Sequence, residues 1–345
     1  METLATIQDT TMLADFGERA NEAALRAVFS LYQERRPINT QRSQRAALFL
    51  FAGFLQSAGI QVGNLYTDPA AWEGITWGLA QAFQKWLIQN SYSMKTVNDR
   101  VSVVKVYMAL VNQAGVIADS EILKLRGLRG YTRKEAKDTD AIREAHGIAT
   151  RKGAKKSNAT IISDEQVQAL CQIQSNTPQA RRDALLMCLL LDHGMRVSEV
   201  TLLRIENIDL VQRQITFYRP KTGRTSRHNL RGRAWNCLTE YLAKDNRSER
   251  GVLILSSCKT GALVQGKDMT IRAINQRVRK LGIAEGLKNL SPHDCRHYGA
   301  TKAGNDPDVS LAGLMAWGGW SNPHSAAHYI NHGSADNDGV NLGME

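Results

Sequence analysis

The sequence has little of what marks several large protein classes. Its five cysteines, at positions 171, 188, 237, 258 and 295, form no CxxC pair, which argues against a disulfide framework and against a zinc site. No apolar run approaches the ~20 residues that a membrane helix needs, and the first sixteen residues show no secretory signal. No glycine-rich phosphate loop of the GxxxxGK[ST] type is present. We therefore expect a cytoplasmic protein with reduced thiols, no membrane partner and no use of ATP.

The charge of the chain is unevenly distributed. Lys and Arg number 44 against 33 Asp and Glu, a formal net charge of +11. Residues 1–132 hold 13 basic and 11 acidic side chains, and residues 133–345 hold 31 and 22. The excess in the second part indicates an anionic partner, with nucleic acid ahead of a membrane surface. A hydrophobic content of 43% suffices for a packed core.

The first 132 residues predict a helical bundle. Apolar residues recur at three- to four-residue spacing, and Thr40, Pro69 and Ser93 are candidate helix starts. Four helices joined by short loops make a small bundle. The predicted helices span residues 11–34, 41–58, 69–89 and 94–114.

Residues 133–160 predict a basic linker. The segment is charged, poor in large apolar side chains, and carries basic residues near its end. It is either a solvated mobile connection or a connection that also lies along a phosphate backbone, where lysines release counterions, and both readings can hold together. The candidate DNA contacts are Arg151, Lys152, Lys155 and Lys156.

Residues 161–345 predict a second, mixed domain. Ser163 and Gln166 have the spacing of a capping box at a helix start. Residues 214–230 place β-rich segments on both sides of a Pro-Lys-Thr-Gly turn, which predicts a hairpin. Residues 251–255 are either a short strand or a helix start, because periodicity does not separate the two. The whole chain is therefore expected to be mainly α with a small β-sheet.

Two segments pair an arginine with a second polar residue at helical spacing. Arg196 and Glu199 are i,i+3 neighbours if a helix begins near residue 195, and the glutamate then orients the guanidinium. His293 and Arg296 share a face at a helix start marked by the Ser-Pro pair at 291–292, where free N–H groups favour anions. Taken singly, the first pair is ordinarily a surface ion pair and the histidine is ordinarily structural.

Three further residues complete the candidate set. Lys221 is the only lysine of the 214–230 hairpin and sits at its turn. Tyr329 ends a short helical stretch nine residues after Trp320. An isolated tyrosine is ordinarily a packing residue with a polar tip, so these positions gain weight only from their order along the chain.

That order resembles the tyrosine recombinase (phage integrase) family. The segment LSPHDCRHYGAT is similar to the family's H-x-x-R box, and GGWSNPHSAAHYINH to its tyrosine box. Trp320 stands where most members carry a second histidine, and the Cre recombinase likewise has a tryptophan at this position. The resemblance implies an N-terminal core-binding bundle (1–132), the linker (133–160) and a mixed α/β catalytic domain with a C-terminal tail (161–345).

The resemblance also implies a reaction. A site-specific recombinase of this family cuts and rejoins DNA through a 3′-phosphotyrosyl intermediate, here on Tyr329, without metal, cofactor or ATP. Two arginines, Arg196 and Arg296, would bind the phosphate oxygens, with Glu199 orienting the first of them. His293 and Trp320 would add N–H donors, His293 also being a possible base, and Lys221 would protonate the leaving 5′-oxygen.

Partners follow from the same resemblance. They are double-stranded DNA with an inverted-repeat target, and three further copies of the chain in a tetramer on two sites. The location would be the nucleoid of a prokaryote, in a phage or plasmid context. Two rivals stay open: a type IB topoisomerase-like enzyme that only relaxes DNA, and a DNA-organising protein with an idle site.

Other residues offer competing assignments. Tyr298 and Tyr241 are alternative tyrosines, and Tyr298 points away from the face that carries Arg296. The histidines at 324, 328 and 332 have i,i+4,i+8 spacing that suggests a metal. Pro323 makes one continuous helix there doubtful, and no carboxylate or thiolate completes a ligand set. We therefore expect no metal site.

Overall fold

The computed structural model describes residues 2–152, 159–245 and 250–330, with side chains from residue 12 onward. The chain divides into two compact units, Met1–Lys155 and Lys156–Glu345. As predicted, the described part is mainly helical with small sheets. None of the helices in these ranges combines the length and the apolar character that crossing a membrane requires.

The described residues of the first unit form helices and connecting loops, without a strand. Ser93 accepts a hydrogen bond from the backbone N–H of Thr96, so this predicted helix start is confirmed. A 3-10 turn, Ala70–Trp72, precedes the fourth helix. The helices are α1 (Glu2–Arg26), α2 (Val28–Glu34), α3 (Ile38–Ser57), α4 (Trp77–Gln89), α5 (Met94–Gln113), α6 (Asp119–Gly127) and α7 (Arg133–Ala145).

Two predicted helix starts in this unit are wrong. The helix assigned to begin at Thr40 begins earlier, directly after Pro37, whose fixed φ suits the position before a helix. Pro69 opens only the 3-10 turn, and α4 starts after Thr76, whose hydroxyl accepts from the N–H of Leu79. In both places the helix begins at a different proline or threonine from the predicted one, Pro37 before α3 and Thr76 before α4.

The core of the first unit is aromatic and lies between α3, α4 and α5. Trp72 is fully buried, and its indole N–H donates to the backbone carbonyl of Leu65 at 2.9 Å. Its ring stacks on that of Tyr107, with centroids 6.2 Å apart. The predicted apolar stripe of residues 11–34 is broken: α1 and α2 are separate helices, and Leu13 and Phe16 are exposed while Phe29 is buried.

The start of the predicted linker is helical. Thr132 and Glu135 form a capping box that begins α7. Arg143 is buried, with its guanidinium contacting Asp140 at 2.8 Å and the carbonyl of Ala149 at 2.8 Å. Residues 133–145 therefore form a helix and belong to the first unit. The capping box and the buried Arg143 stabilise this helix although it has few large apolar residues.

The second unit surrounds helix α9, all of whose residues from Arg181 to Leu191 are buried. The predicted capping box of Ser163 and Gln166 is confirmed at the start of α8. The helices are α8 (Asp164–Cys171), α9 (Pro178–Leu191), α10 (Val197–Val200), α11 (Gly232–Lys244), α12 (Ile271–Ala284), α13 (Pro292–Gly304), α14 (Leu311–Gly318) and α15 (Pro323–Ala327).

Two small antiparallel sheets complete the second unit. The predicted hairpin is confirmed as β2 (Gln214–Arg219) and β3 (Arg224–Asn229), and β1 (Ile208–Asp209) pairs with β2. β4 (Leu255–Ser257) pairs with β5 (Leu263–Asp268). In the segment 251–255, left open between strand and helix, Val252 makes an isolated bridge to Arg204 and Leu255 begins β4.

Candidate active site

The turn after α9 places Arg196 at the start of α10. Gly194 has φ +54°, and a Cβ there would lie within 3.0 Å of the Trp317 ring, so the turn requires glycine. Arg196 Nη1 donates to Glu199 Oε1 at 2.7 Å, and its backbone N–H donates to Oε2 at 2.9 Å. Glu199 is fully buried, whereas 19% of the Arg196 side chain is exposed. The expected i,i+3 contact is present. It fixes the guanidinium of an arginine whose side chain remains partly exposed to solvent.

Helix α13 carries the second arginine into the protein. Ser291 and Asp294 form a capping box with proline in the first turn, as the sequence predicts. Arg296 is buried and donates to the carbonyls of Gly194 and Gly318, both at 2.6 Å. Burial, and then the nearby charge of Arg196, lower the pKa of Arg296 to about 10. It therefore stays protonated at neutral pH.

The segment after α14 brings an indole and a phenol to this arginine. The Arg296 Cζ atom lies 4.8 Å from the centroid of the Trp320 ring. Trp320 also stacks on Tyr329, with centroids 5.4 Å apart and planes at 28°. A Cβ at Gly304 would lie within 3.0 Å of the Tyr329 backbone, so α13 packs directly against the tyrosine segment.

Two predicted site residues lie on the surface of the unit. Lys221 is exposed in the turn between β2 and β3, and His293 is exposed in the first turn of α13. The structure thus joins Arg196, Arg296 and the Trp320–Tyr329 stack through direct contacts or shared neighbours. His293 lies on the same helix as Arg296, and Lys221 lies in the turn that follows β2.

The basic residues assigned to DNA contact divide into two pairs. Arg151 and Lys152 are exposed at the end of the first unit, and Lys152 Nζ lies 5.0 Å from the Tyr92 ring centroid. Lys155 and Lys156 lie outside the described residues.

Sequence reasoning missed a third arginine. Arg219, the last residue of β2, is fully buried and donates to Glu199 Oε2 at 3.3 Å. The signal was available, because Ile215 and Phe217 are buried at alternate positions of β2 and Arg219 continues the same face.

Two buried histidines adjoin this arginine. His228 Nε2 lies 3.2 Å from Arg219 Nη2, and the His193 and His228 rings are 5.6 Å apart. Burial, followed by the neighbouring His193 and Arg219, lowers the pKa of His228 to about 3. Burial also lowers the pKa of His193. Both histidines are therefore neutral at physiological pH and add no charge to the site.

The net electrostatic character of the site is positive. Three guanidinium groups, Arg196, Arg219 and Arg296, surround the single buried carboxylate of Glu199. Buried charge without an equal countercharge is costly. The three arginines therefore favour the binding of an anion on the side of the site where Arg196 is exposed to solvent. A phosphodiester fits, since guanidinium forks match its non-bridging oxygens.

Metal-binding groups are found elsewhere in the unit. Among the described residues, Cys171, Cys188 and Asp192 are the one set with donor atoms near enough together for an ion, and the cysteines were too far apart in sequence to predict this. Asp192 is already ion-paired with Arg233. Of the three histidines with helical spacing, the rings of His324 and His328 are 4.8 Å apart, and position 332 lies outside the described residues.

Comparison with known proteins agrees with these features. Residues 160–335 match the Phage integrase family. Tyrosine recombinase XerC of Proteus mirabilis is 25% identical over 201 residues, covering 57% of this chain and 63% of the relative. XerC of Pseudomonas fluorescens (strain Pf0-1) is 30% identical over 177 residues, covering 50% of this chain and 55% of the relative. The matched parts thus span less than two thirds of these relatives.

Solved structures share the fold. The Tn1549 transposon integrase, in complex with transposon right end DNA, superposes with a TM-score of 0.61 at 13% identity, covering 92% of this chain and 97% of that one. The XerH site-specific recombinase, bound to palindromic difH substrate, gives a TM-score of 0.53 at 16% identity, covering 74% of this chain and 69% of that one. The mixed helical architecture with small sheets is therefore that of known integrases.

Proposed function

Because the chain belongs to the phage integrase family, we propose that it is a site-specific DNA recombinase that breaks and rejoins strands with Tyr329 as its nucleophile. The observation that carries this proposal is the series Arg296, Trp320, Tyr329. Each ring or guanidinium contacts the next, with Arg296 4.8 Å from the centroid of the indole and the phenol ring 5.4 Å from the indole. A phosphate bound by the arginines would lie beside the tyrosine.

The proposed reaction exchanges one phosphodiester for another. The Tyr329 oxygen attacks the phosphorus, the bond from phosphorus to the 5′-oxygen breaks, and the DNA 3′-phosphate becomes joined to the tyrosine. The leaving oxygen takes a proton, which we assign to Lys221, and the phenol proton passes to a base such as His293. A 5′-hydroxyl from another strand reverses the step. Because the ester bond is conserved, ATP is not required.

The arginines supply most of the stabilisation. Negative charge builds on the non-bridging oxygens in the transition state, and preorganised donors there lower the barrier. Arg296 is fixed by two backbone carbonyls and Arg196 by Glu199, so neither has to reorganise when phosphate arrives. The Trp320 indole N–H is assigned as a further donor. Loss of one such donor costs on the order of a hundredfold in rate.

The proposed partner is double-stranded DNA. The excess positive charge after residue 132 and the exposed Arg151 and Lys152 support backbone contacts. The XerH structure contains that recombinase bound to a palindromic substrate, and by analogy we propose an inverted-repeat site and a tetramer on two such sites.

A nicked substrate tests the proposal. A tight-binding duplex is first selected from a random library with the Tyr329→Phe variant, so that no DNA is consumed. The selected duplex is then nicked close to the cleavage point. Cleavage then releases a short fragment that carries the 5′-hydroxyl, and because this fragment diffuses away, religation cannot occur and the covalent complex accumulates. Wild-type protein should form this complex in the presence of chelator, and Tyr329→Phe should bind equally well but form none.

The same experiment separates the rivals. A DNA-organising protein with an idle site would form no covalent complex with any selected duplex. A topoisomerase-like enzyme would form the complex and relax a supercoiled plasmid carrying one site, but would yield no recombinant product from two sites. Covalent adduct in Tyr329→Phe would show that another residue is the nucleophile.

A further inference from the structure

Arg219 is an arginine at a place where the chain would ordinarily put an apolar residue. It is the inward-facing residue after Ile215 and Phe217 on β2, and its side chain is fully inaccessible. A buried arginine is costly unless every donor has an acceptor. All three of its nitrogens are engaged, with partners from α10, β3 and the end of α14.

The first link runs to Arg196 through Glu199. Glu199 Oε1 accepts from Arg196 Nη1 at 2.7 Å, while Oε2 accepts from Arg219 Nη1 at 3.3 Å. One carboxylate is thus shared by two guanidiniums, one buried and one partly exposed. Without Arg219, Glu199 Oε2 would keep only the backbone N–H of Arg196 as a donor, so the carboxylate, and the Arg196 side chain that it holds, would be less firmly fixed.

The second link runs to Arg296 through a backbone carbonyl. The Gly318 carbonyl accepts from Arg296 Nη2 at 2.6 Å and from Arg219 Nη1 at 3.2 Å. Arg219 Nη2 also donates to the carbonyl of Trp317 at 2.7 Å. Arg219 therefore fixes the end of α14, from which the chain leads directly into Trp320 and on to Tyr329.

The hairpin holds Arg219 itself in place. Its Nε donates to the Ser226 hydroxyl at 2.6 Å, and its Nη2 meets Nε2 of the neutral His228 at 3.2 Å. A Cβ at Gly319 would lie 2.5 Å from the Arg219 Cδ, so the chain crosses the guanidinium at a distance that only glycine allows. Lys221 follows two residues later in the turn.

We propose that Arg219 is a positioning residue that sets both phosphate-binding arginines and the tyrosine segment in register through their shared acceptors, Glu199 and the Gly318 carbonyl. The inference rests on the proposed function. Arg219 is too deeply buried to bind DNA itself, so its effect is on the rate of the chemical step and not on affinity.

The test is a pair of matched substitutions, Arg219→Lys and Arg182→Lys. Arg182 is equally buried and bonds Asp183 and the Leu255 carbonyl, away from the candidate site. Both variants keep the charge and lose the planar fork. The readouts are thermal unfolding, DNA affinity in a Tyr329→Phe background, and the single-turnover rate of covalent trapping at saturating nicked duplex.

We expect Arg219→Lys to lower the trapping rate about 100-fold, because misplacing reacting groups by about 1 Å has an effect of this size, with affinity changed less than about twofold. Arg182→Lys should trap at the wild-type rate even if it unfolds earlier. Glu199→Gln combined with Arg219→Lys should lose less than the product of the two single losses, since both act through one carboxylate.

A second substrate distinguishes positioning from a general loosening of the fold. A methylphosphonate at the scissile position removes the phosphate charge, so both arginines matter less and the loss in Arg219→Lys should shrink at least tenfold. A loosened fold would slow both substrates equally, and that result would overturn the proposal, as would wild-type trapping by Arg219→Lys.

Two further outcomes are failure of Arg219→Lys to fold and failure of the wild type to form a covalent complex. If Arg219→Lys does not fold, Ser226→Ala removes only the acceptor of Nε, and an unchanged trapping rate in that variant would count against the proposal. If the wild type itself forms no covalent complex with any selected duplex, the proposed function has failed, which differs from Arg219 failing.

Discussion

Gly318 offers a sharp way to move Trp320 without altering any polar side chain. It is the last residue of α14, and a Cβ at this position would lie within 3.0 Å of the Trp320 atoms Cζ3, Cε3 and Cη2. All three belong to the six-membered ring of the indole. The Gly318→Ala substitution therefore forces the ring to move, since the Gly318 carbonyl is held by Arg296 and Arg219.

The size of the effect follows from ordinary contact distances. Carbon atoms pack at about 3.5–4.0 Å, so the indole must shift by about 1 Å or more. Overpacking of this kind costs about 1–3 kcal/mol of folding stability, against which the better helix propensity of alanine contributes at most about 1 kcal/mol. The shift also moves the ring that contacts both Arg296 and Tyr329, and we expect covalent trapping to slow about 100-fold.

The assay compares Gly318→Ala with Gly313→Ala on the same helix. A Cβ at Gly313 meets the Ser310 hydroxyl at 3.4 Å and Val309 Cγ1 at 3.8 Å, both ordinary contacts, so that variant should trap DNA at the wild-type rate. In a Trp320→His background the three clashing atoms are absent, and Gly318→Ala should then have little further effect. Wild-type trapping by Gly318→Ala, or an equal loss from Gly318→Ala in both backgrounds, would refute the arrangement described here.

Other predictions concern charge and proton linkage. Glu199→Gln should lower the free energy of unfolding by about 3 kcal/mol in urea titrations, because it leaves buried guanidiniums without their carboxylate; an unchanged value would contradict the shared-carboxylate geometry. His228 has a pKa of about 3 in the fold against 6.5 unfolded, so the unfolded chain binds the extra proton and stability falls with acidity between these values. At about 1.4 kcal/mol per pH unit, stability should fall by about 2 kcal/mol more in the wild type than in His228→Gln between pH 6.5 and 5; parallel curves would argue against a buried neutral imidazole. Replacing both Arg151 and Lys152 with alanine should reduce the slope of log affinity against log salt by about 1–2, with trapping at saturation unaffected; an unchanged slope would remove these residues from the DNA surface.

Local signals predicted the parts of the site whose geometry is set by neighbours in sequence. The i,i+3 contact of Arg196 and Glu199 and the capped start of α13 depend only on helix geometry, so reading them required no knowledge of the fold. The hairpin was predicted because its turn residues and β-rich flanks lie within seventeen residues.

Long-range contacts explain what was missed. Arg219 contacts Glu199 twenty positions earlier and the Gly318 carbonyl 99 positions later, and no local pattern specifies such partners. The helix at Arg133–Ala145 was read as linker because its composition is polar, while the capping box at Thr132 and Glu135 was a usable sign of it. The continuous helix expected over 11–34 is interrupted at Ala27, and Phe29, the second residue of α2, packs edge-on against Tyr107 in the aromatic core.

The central claim, that Tyr329 is the residue joined to DNA, is tested most directly by mapping the trapped complex with trypsin and mass spectrometry. The sequence separates the candidates, since Tyr298 falls in the peptide 297–302, and Tyr329 is the only tyrosine in the peptide that begins at Ala303. We expect a nucleotide joined through its 3′-phosphate to the peptide that begins at Ala303, with the fragment ions placing it on Tyr329. A nucleotide on the 297–302 peptide, or on any other, would contradict it.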